Sequence, residues 1–181
     1  MTFPGTPNTW MTGYIPDLPT PFDDTGEVDG KAFARLCERQ IEAGVPALVV
    51  CETAGEASTL SATEQERIIR TAAGIAQGRT RVIAGAGSNS TRQAIELTRR
   101  AEAAGADAVL SIVSYYNKPM QEGIYEHFRA IADSTGLPII LHNIPSRTVR
   151  ELADDTLARL AQCGQFVGLM DARAMLAVQC A

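Results

Sequence analysis

Short apolar runs alternate along this chain with longer segments whose apolar residues recur every three or four positions. Pro46–Cys51, Arg81–Gly85, Ala108–Val113, Pro138–His142 and Phe166–Leu169 are runs of strand length dominated by Val, Ile, Leu and Ala. Continuous rather than alternating apolarity suits strands covered on both faces. Tyr14–Thr20 reads as an additional first strand, closing on Pro-Thr-Pro. The intervening segments read as helices. Asp29–Ala43 places Phe33, Leu36, Cys37 and Ile41 on one stripe and stops at Gly44. Ser61-Ala62-Thr63-Glu64 is a capping box that opens a helix through Ala76. Ser90 caps a helix reaching Ala104, and Gln121–Ser134 and Leu152–Cys163 complete the set.

Strict β/α alternation demands a parallel sheet with right-handed crossovers. An open doubly wound sheet and a closed (β/α)8 barrel both satisfy it, and periodicity does not choose between them. Six strands are expected where a barrel needs eight. A barrel reading therefore gives about six of eight β/α units.

Composition narrows the function classes. The 181 residues are 45% hydrophobic and 20% charged, with a net charge of -5, as for one globular domain without a linker. Arg and Lys are scattered rather than clustered, so no nucleic-acid footprint is present. No apolar run approaches the ~20 residues of a membrane span. Met1–Thr12 has no positive charge ahead of an apolar stretch and is rich in Pro, Gly and Thr, which reads as a disordered lead-in over 1–12 and a cytoplasmic protein. Cys37, Cys51, Cys163 and Cys180 lack CxxC spacing and read as small apolar residues in a reducing compartment. The two histidines, His127 and His142, are not at ligand spacing from another donor, so no metal is expected.

In either architecture, chemistry collects at the C-terminal ends of the strands. Gly85-x-Gly87 follows a strand, but Ser90 stands where a dinucleotide fingerprint needs its third glycine, and no GK[ST] follows. The glycine pair reads instead as close backbone packing. Thr53, with Gly55 behind it, can offer a hydroxyl and backbone N–H groups to a small carboxylate, or can simply form a capped turn. Tyr115 and Tyr116 cannot both enter one apolar layer, so at least one phenol is expected exposed or in a cleft. Arg147, in a Pro-Ser-Arg-Thr turn, is a bidentate carboxylate anchor or a surface arginine.

Together these strings resemble the dihydrodipicolinate synthase / N-acetylneuraminate lyase family. Tyr115-Tyr116-Asn117-Lys118-Pro119-Met120-Gln121-Glu122-Gly123-Ile124-Tyr125 is similar to its YYNxPxQEGxY signature, and Asn143-Ile144-Pro145-Ser146-Arg147-Thr148 to its N[VI]PSRT. Thr53–Leu60 resembles its TTGExxTL, and Val82–Asn89 its VIAGxGxN. The resemblance implies an α/β fold of the TIM (β/α)8 barrel family, extending over 13–172. It also implies a lyase or synthase of the class I aldolase type without a cofactor. A lysine ending the sixth strand would form an imine with pyruvate or another 2-oxo acid, and the derived enamine would condense with an aldehyde. Thr53 and residue 54 would hold the keto-acid carboxylate, and Thr53 and Tyr116 would relay protons. Tyr116 would cross a dimer interface, since relatives are homo-oligomers. Arg147 would bind the second substrate.

The chain departs from that pattern at three positions. Ala54 replaces the second threonine of the carboxylate loop. His142 replaces the tyrosine that ends the fifth strand; it is either a proton relay or a strand-end histidine satisfied by the backbone. The family's G[IL]K[ED]A reads Gly168-Leu169-Met170-Asp171-Ala172, so Met170 stands at the Schiff-base position. A thioether forms no imine. The remaining lysines are Lys31, opening the first helix, and Lys118, beside the tyrosine pair. Two functional expectations follow: a member of the 2-oxo-acid lyase lineage with impaired catalysis, or an inactive fragment or pseudo-subunit.

Beyond Ala172 the stretch 173–181 departs from the family pattern. Relatives commonly continue Thr-Gly-Asp, and ACG GGC GAT followed by G, read with its first A missing, encodes Arg-Ala-Met. That tail is expected to be an out-of-frame reading, and a chain lacking two β/α units is expected to leave its first and sixth strands unpaired outside, favouring aggregation.

Overall fold

The computed structural model describes residues 10–173. Most of the expected lead-in and of the expected tail therefore lies outside the described residues. Five strands make one sheet: β1 (Ala47–Val50), β2 (Arg81–Gly85), β3 (Ala108–Ile112), β4 (Ile139–Asn143) and β5 (Phe166–Asp171). All pairings are parallel and follow chain order. A doubly wound sheet reverses its order at a switch point. The unbroken progression is that of a barrel wall.

The helices are α1 (Gly30–Glu42), α2 (Ala62–Ala76), α3 (Thr91–Ala104), α4 (Gln121–Ala132), α5 (Pro145–Thr148) and α6 (Asp154–Leu160). Their boundaries have local causes. Asp29 accepts from the N–H groups of Lys31 and Ala32, satisfying two orphan donors of α1. Ser61 and Glu64 form the reciprocal capping box of α2. Gly105, at φ 97°, ends α3 in the left-handed region.

Strand alternation sorts the apolar residues into two layers. Leu48, Val82, Val109 and Leu141 face outward and join Phe33, Cys37, Ile68, Phe128 and Ile131 beneath the helices. Ala47, Val49, Ile83, Leu110 and Ile140 face inward as a second cluster, against which Trp10, Met11, Ile15 and Val167 pack. Burial pushes the thiols of Cys37 and Cys51 up to about 12, so both behave as apolar core residues.

Four expected elements are corrected. Tyr14–Thr20 is not a strand but makes one isolated parallel bridge, Asp17 to Val49. Leu18 N–H donates to Val49 O, and Val49 N–H to Pro16 O, both at 2.9 Å. Pro16, Pro19 and Pro21 supply no N–H, so the ladder stops there. The segment still covers part of the outer edge of β1. The expected Leu152–Cys163 helix starts only after Ala153 and ends at Leu160, behind the short α5 turn. The fourth expected helix ends at Ala132 rather than Ser134, with Asp133 as its C-cap. The expected sixth strand is β5, which runs on to Asp171. Among the described residues, no helix is long and apolar enough to cross a membrane.

Candidate functional site

The C-terminal ends of the parallel strands bring the 51–60 turn, the 85–89 loop, the tyrosine pair and the 143–148 turn to one rim. A β carbon at residue 85 would lie 2.0 Å from the Cys51 carbonyl oxygen, and one at residue 87 would lie 2.5 Å from Ile112 Cγ2. Gly85 and Gly87 therefore serve close packing, as their spacing suggested. Cys51 adopts φ 55°, breaking the strand alternation as the chain leaves β1. Thr20 Oγ1 donates to Gly55 O at 2.7 Å, tying the following turn to the Pro-Thr-Pro segment.

That break places Glu52 inside the rim, only 6% exposed. Its Oε1 lies 3.0 Å from Nδ1 of His142, which is 1% exposed. Its Oε2 accepts from both the N–H and the Oγ1 of Thr53, the hydroxyl at 2.5 Å. The N–H of Ala54 donates to Asp17 Oδ2 at 3.1 Å. Burial alone would raise the Glu52 carboxyl, but the hydrogen bonds from His142 and Thr53 hold it below the usual range, so it is ionised. The carboxyl of Asp17 is raised, chiefly by burial, with the Glu52 charge adding to the effect. Among the described residues, Asp17 Oδ1 and His142 Nε2 are buried without a hydrogen-bond partner. His142 is thus satisfied at Nδ1 by a carboxylate, not by the backbone.

Beside this network a cleft of about 360 Å³ is lined by Glu52, Thr53, Ser88, Gln93, Tyr115 and Arg147, among others. Thr53 and Arg147 therefore share one cavity. Of the tyrosine pair, Tyr115 enters the cleft while Tyr116 is 87% exposed at φ 70°. Met170 is the register partner of His142 on β5 and is 37% exposed. Asn143 braces the rim: its Nδ2 donates to Asp171 Oδ1 at 3.1 Å, and its Oδ1 accepts from Leu152 N–H at 2.9 Å. No group of three or more His, Cys, Asp or Glu residues could hold a metal among the described residues.

Asp17 and Glu52 have a place in this network that sequence reasoning did not assign. Glu52 carried a signal, a carboxylate directly after an apolar strand. Asp17 carried only its position within a proline-bounded apolar stretch.

The family model described as the Dihydrodipicolinate synthetase family matches residues 10–179. A 4-hydroxy-tetrahydrodipicolinate synthase of Hyphomonas neptunium is 55% identical over 160 residues, 88% of this chain and 54% of that protein. The crystal structure of dihydrodipicolinate synthase from Aquifex aeolicus superposes with a TM-score of 0.87 at 45% identity, covering 89% of this chain and 55% of that one. The chloride-inhibited enzyme of Acinetobacter baumannii, solved with pyruvate, gives 0.87 at 48% identity, covering 88% and 55%. The chain spans about half the length of the relatives it matches. The sequential parallel sheet, its outer helices and its apolar inner layer are those of a TIM (β/α)8 barrel, and the chain belongs to the dihydrodipicolinate synthetase family.

Proposed function

We propose that this chain descends from a lyase of the 4-hydroxy-tetrahydrodipicolinate synthase type, joining pyruvate or another 2-oxo acid to an aldehyde, and that it does not perform the imine step itself. In that lineage the turn at Thr53 is the receiving point for a 2-oxo-acid carboxylate, and Ala54 leaves it one hydroxyl fewer here. Arg147 stands across the same cleft as the anchor for a second carboxylate. Tyr116 and His142 are the proton-relay groups in this reading.

One observation carries the proposal. Met170 is paired in register with His142 at the rim of β5, the place where the reaction requires a primary amine. The sulfur of Met170 has no N–H to add to a carbonyl. Lys31 lies exposed in the first turn of α1, and Lys118 lies in the exposed loop before α4. Neither lines the cleft that holds Thr53 and Arg147.

Incubation of the full chain with pyruvate and borohydride, followed by peptide mass spectrometry, tests the reading. No reduced pyruvate adduct is expected. A stoichiometric adduct on Lys31 or Lys118 would overturn it.

A second reading, a non-catalytic subunit, is favoured by the exposure of Tyr116 and Met120, 87% and 83%. Two large side chains on one loop offer a contact surface to another copy. Sedimentation velocity of the native chain and of Tyr116→Ser separates the readings. Loss of association in the variant supports the second.

A further inference from the structure

We infer that Glu52 is a specificity-determining residue that fills the 2-oxo-acid carboxylate position with the chain's own carboxylate, so the Thr53 turn does not bind pyruvate. The inference rests on the reading of that turn as the carboxylate receiver.

The donors of the turn are the Thr53 N–H, the Thr53 hydroxyl and the Ala54 N–H. Each already has an acceptor. Glu52 Oε2 takes both Thr53 donors, and Asp17 Oδ2 takes the Ala54 N–H. These acceptors are carboxylates, the same chemical group as the ligand head they displace. Glu52 is held in place from its other side by His142 Nδ1 at 3.0 Å. It cannot swing away without leaving a second buried imidazole nitrogen unpaired, since His142 Nε2 already has no partner among the described residues. A second carboxylate would meet the ionised Glu52 where a single donor set can serve one anion.

Position 170 compounds this effect. With methionine there, position 170 supplies no ammonium to offset the Asp17 and Glu52 carboxyl groups. The Glu52 contacts and the loss of the amine at position 170 are therefore coupled: restoring the amine alone leaves nowhere for the 2-oxo acid to anchor beside it.

The test compares Met170→Lys with Met170→Lys/Glu52→Ala in the full chain, using pyruvate and borohydride. The expected yield of adduct on the introduced amine is at least tenfold higher in the double variant. Equal trapping by Met170→Lys alone overturns the inference while leaving the imine-loss proposal intact. An absence of trapping in both variants also overturns it. A measurement on the native chain keeps the test independent of how the double variant folds. The Thr53 and Ala54 amide resonances are expected to stay fixed during a pyruvate titration, and saturable shifts of both would refute the inference.

Discussion

His142 and Met170 are direct partners in the parallel register of β4 and β5, side by side on the inner face of the sheet. The pairing sets a flexible thioether against a buried imidazole. Because Met170 is 37% exposed, a longer cationic side chain there can extend its tip into water while its stem keeps the methionine's contacts. Met170→Lys is therefore expected to change stability by less than about 1 kcal/mol. Urea denaturation of the two proteins measures it, and a loss of several kcal/mol would show that the rim cannot accept the amine.

The buried pair Glu52–His142 should behave as a coupled unit. Removing the imidazole with His142→Ala leaves an ionised carboxylate with Thr53 as its main remaining donor, which should cost about 2–4 kcal/mol. Glu52→Ala frees the Thr53 donors and the Nδ1 of His142. The double substitution removes both burdens and should cost less than the two single losses added, with a coupling of roughly 1–3 kcal/mol. A denaturant double-mutant cycle reads this directly, and strict additivity would mean the 3.0 Å contact contributes nothing.

Local signals account for most of what could be read before the structure. The Ser61–Glu64 box, the Ser90 cap and the glycine stops act within one helical turn, so they are visible in any short window. Parallel topology adds a second legible fact, because it gathers all strand C-termini and so brings Thr53, Tyr115 and Arg147 to one cleft. Tyr14–Thr20 failed as a strand because its apolar pattern was right while its prolines removed the ladder donors. The Asp17–Glu52–His142 network was not legible for another reason. Its contacts span 37 and 90 residues, and Glu52 turns inward only because Cys51 takes a positive φ that no residue type announces.

Gly85 offers a sharper test of that turn. Any β carbon at this position strikes the backbone carbonyl of Cys51, which cannot rotate away as a side chain could. Gly85→Ala must displace the 51–52 segment, and with it Glu52. A loss of about 3 kcal/mol or more is expected. The Thr53 and Ala54 amides should exchange with solvent faster in the same variant. Native-like stability and exchange would mean that the chain leaving β1 can draw back from β2 at no cost.

His127 gives the molecule an acid-sensitive point away from the rim. It lies on α4, 5% exposed, with Nδ1 2.9 Å from Thr91 Oγ1 and its ring edge-on to Phe128 at 5.4 Å. Burial lowers its pKa to about 4, because desolvation penalises the charged imidazolium. The unfolded chain takes up the proton near the ordinary value of about 6.5. Above that pH the residue is neutral in both states and its contribution is fully present. Between about 6.5 and 4 only the unfolded state is protonated, so stability drains away as pH falls, by roughly 3 kcal/mol at the lower limit. His127→Gln removes this titration. The stability difference between native chain and variant, followed by urea denaturation from pH 7 to pH 4, should shrink or reverse as the native protein loses its advantage. Parallel curves for the two proteins would mean that the imidazole is protonated as readily inside the fold as outside it.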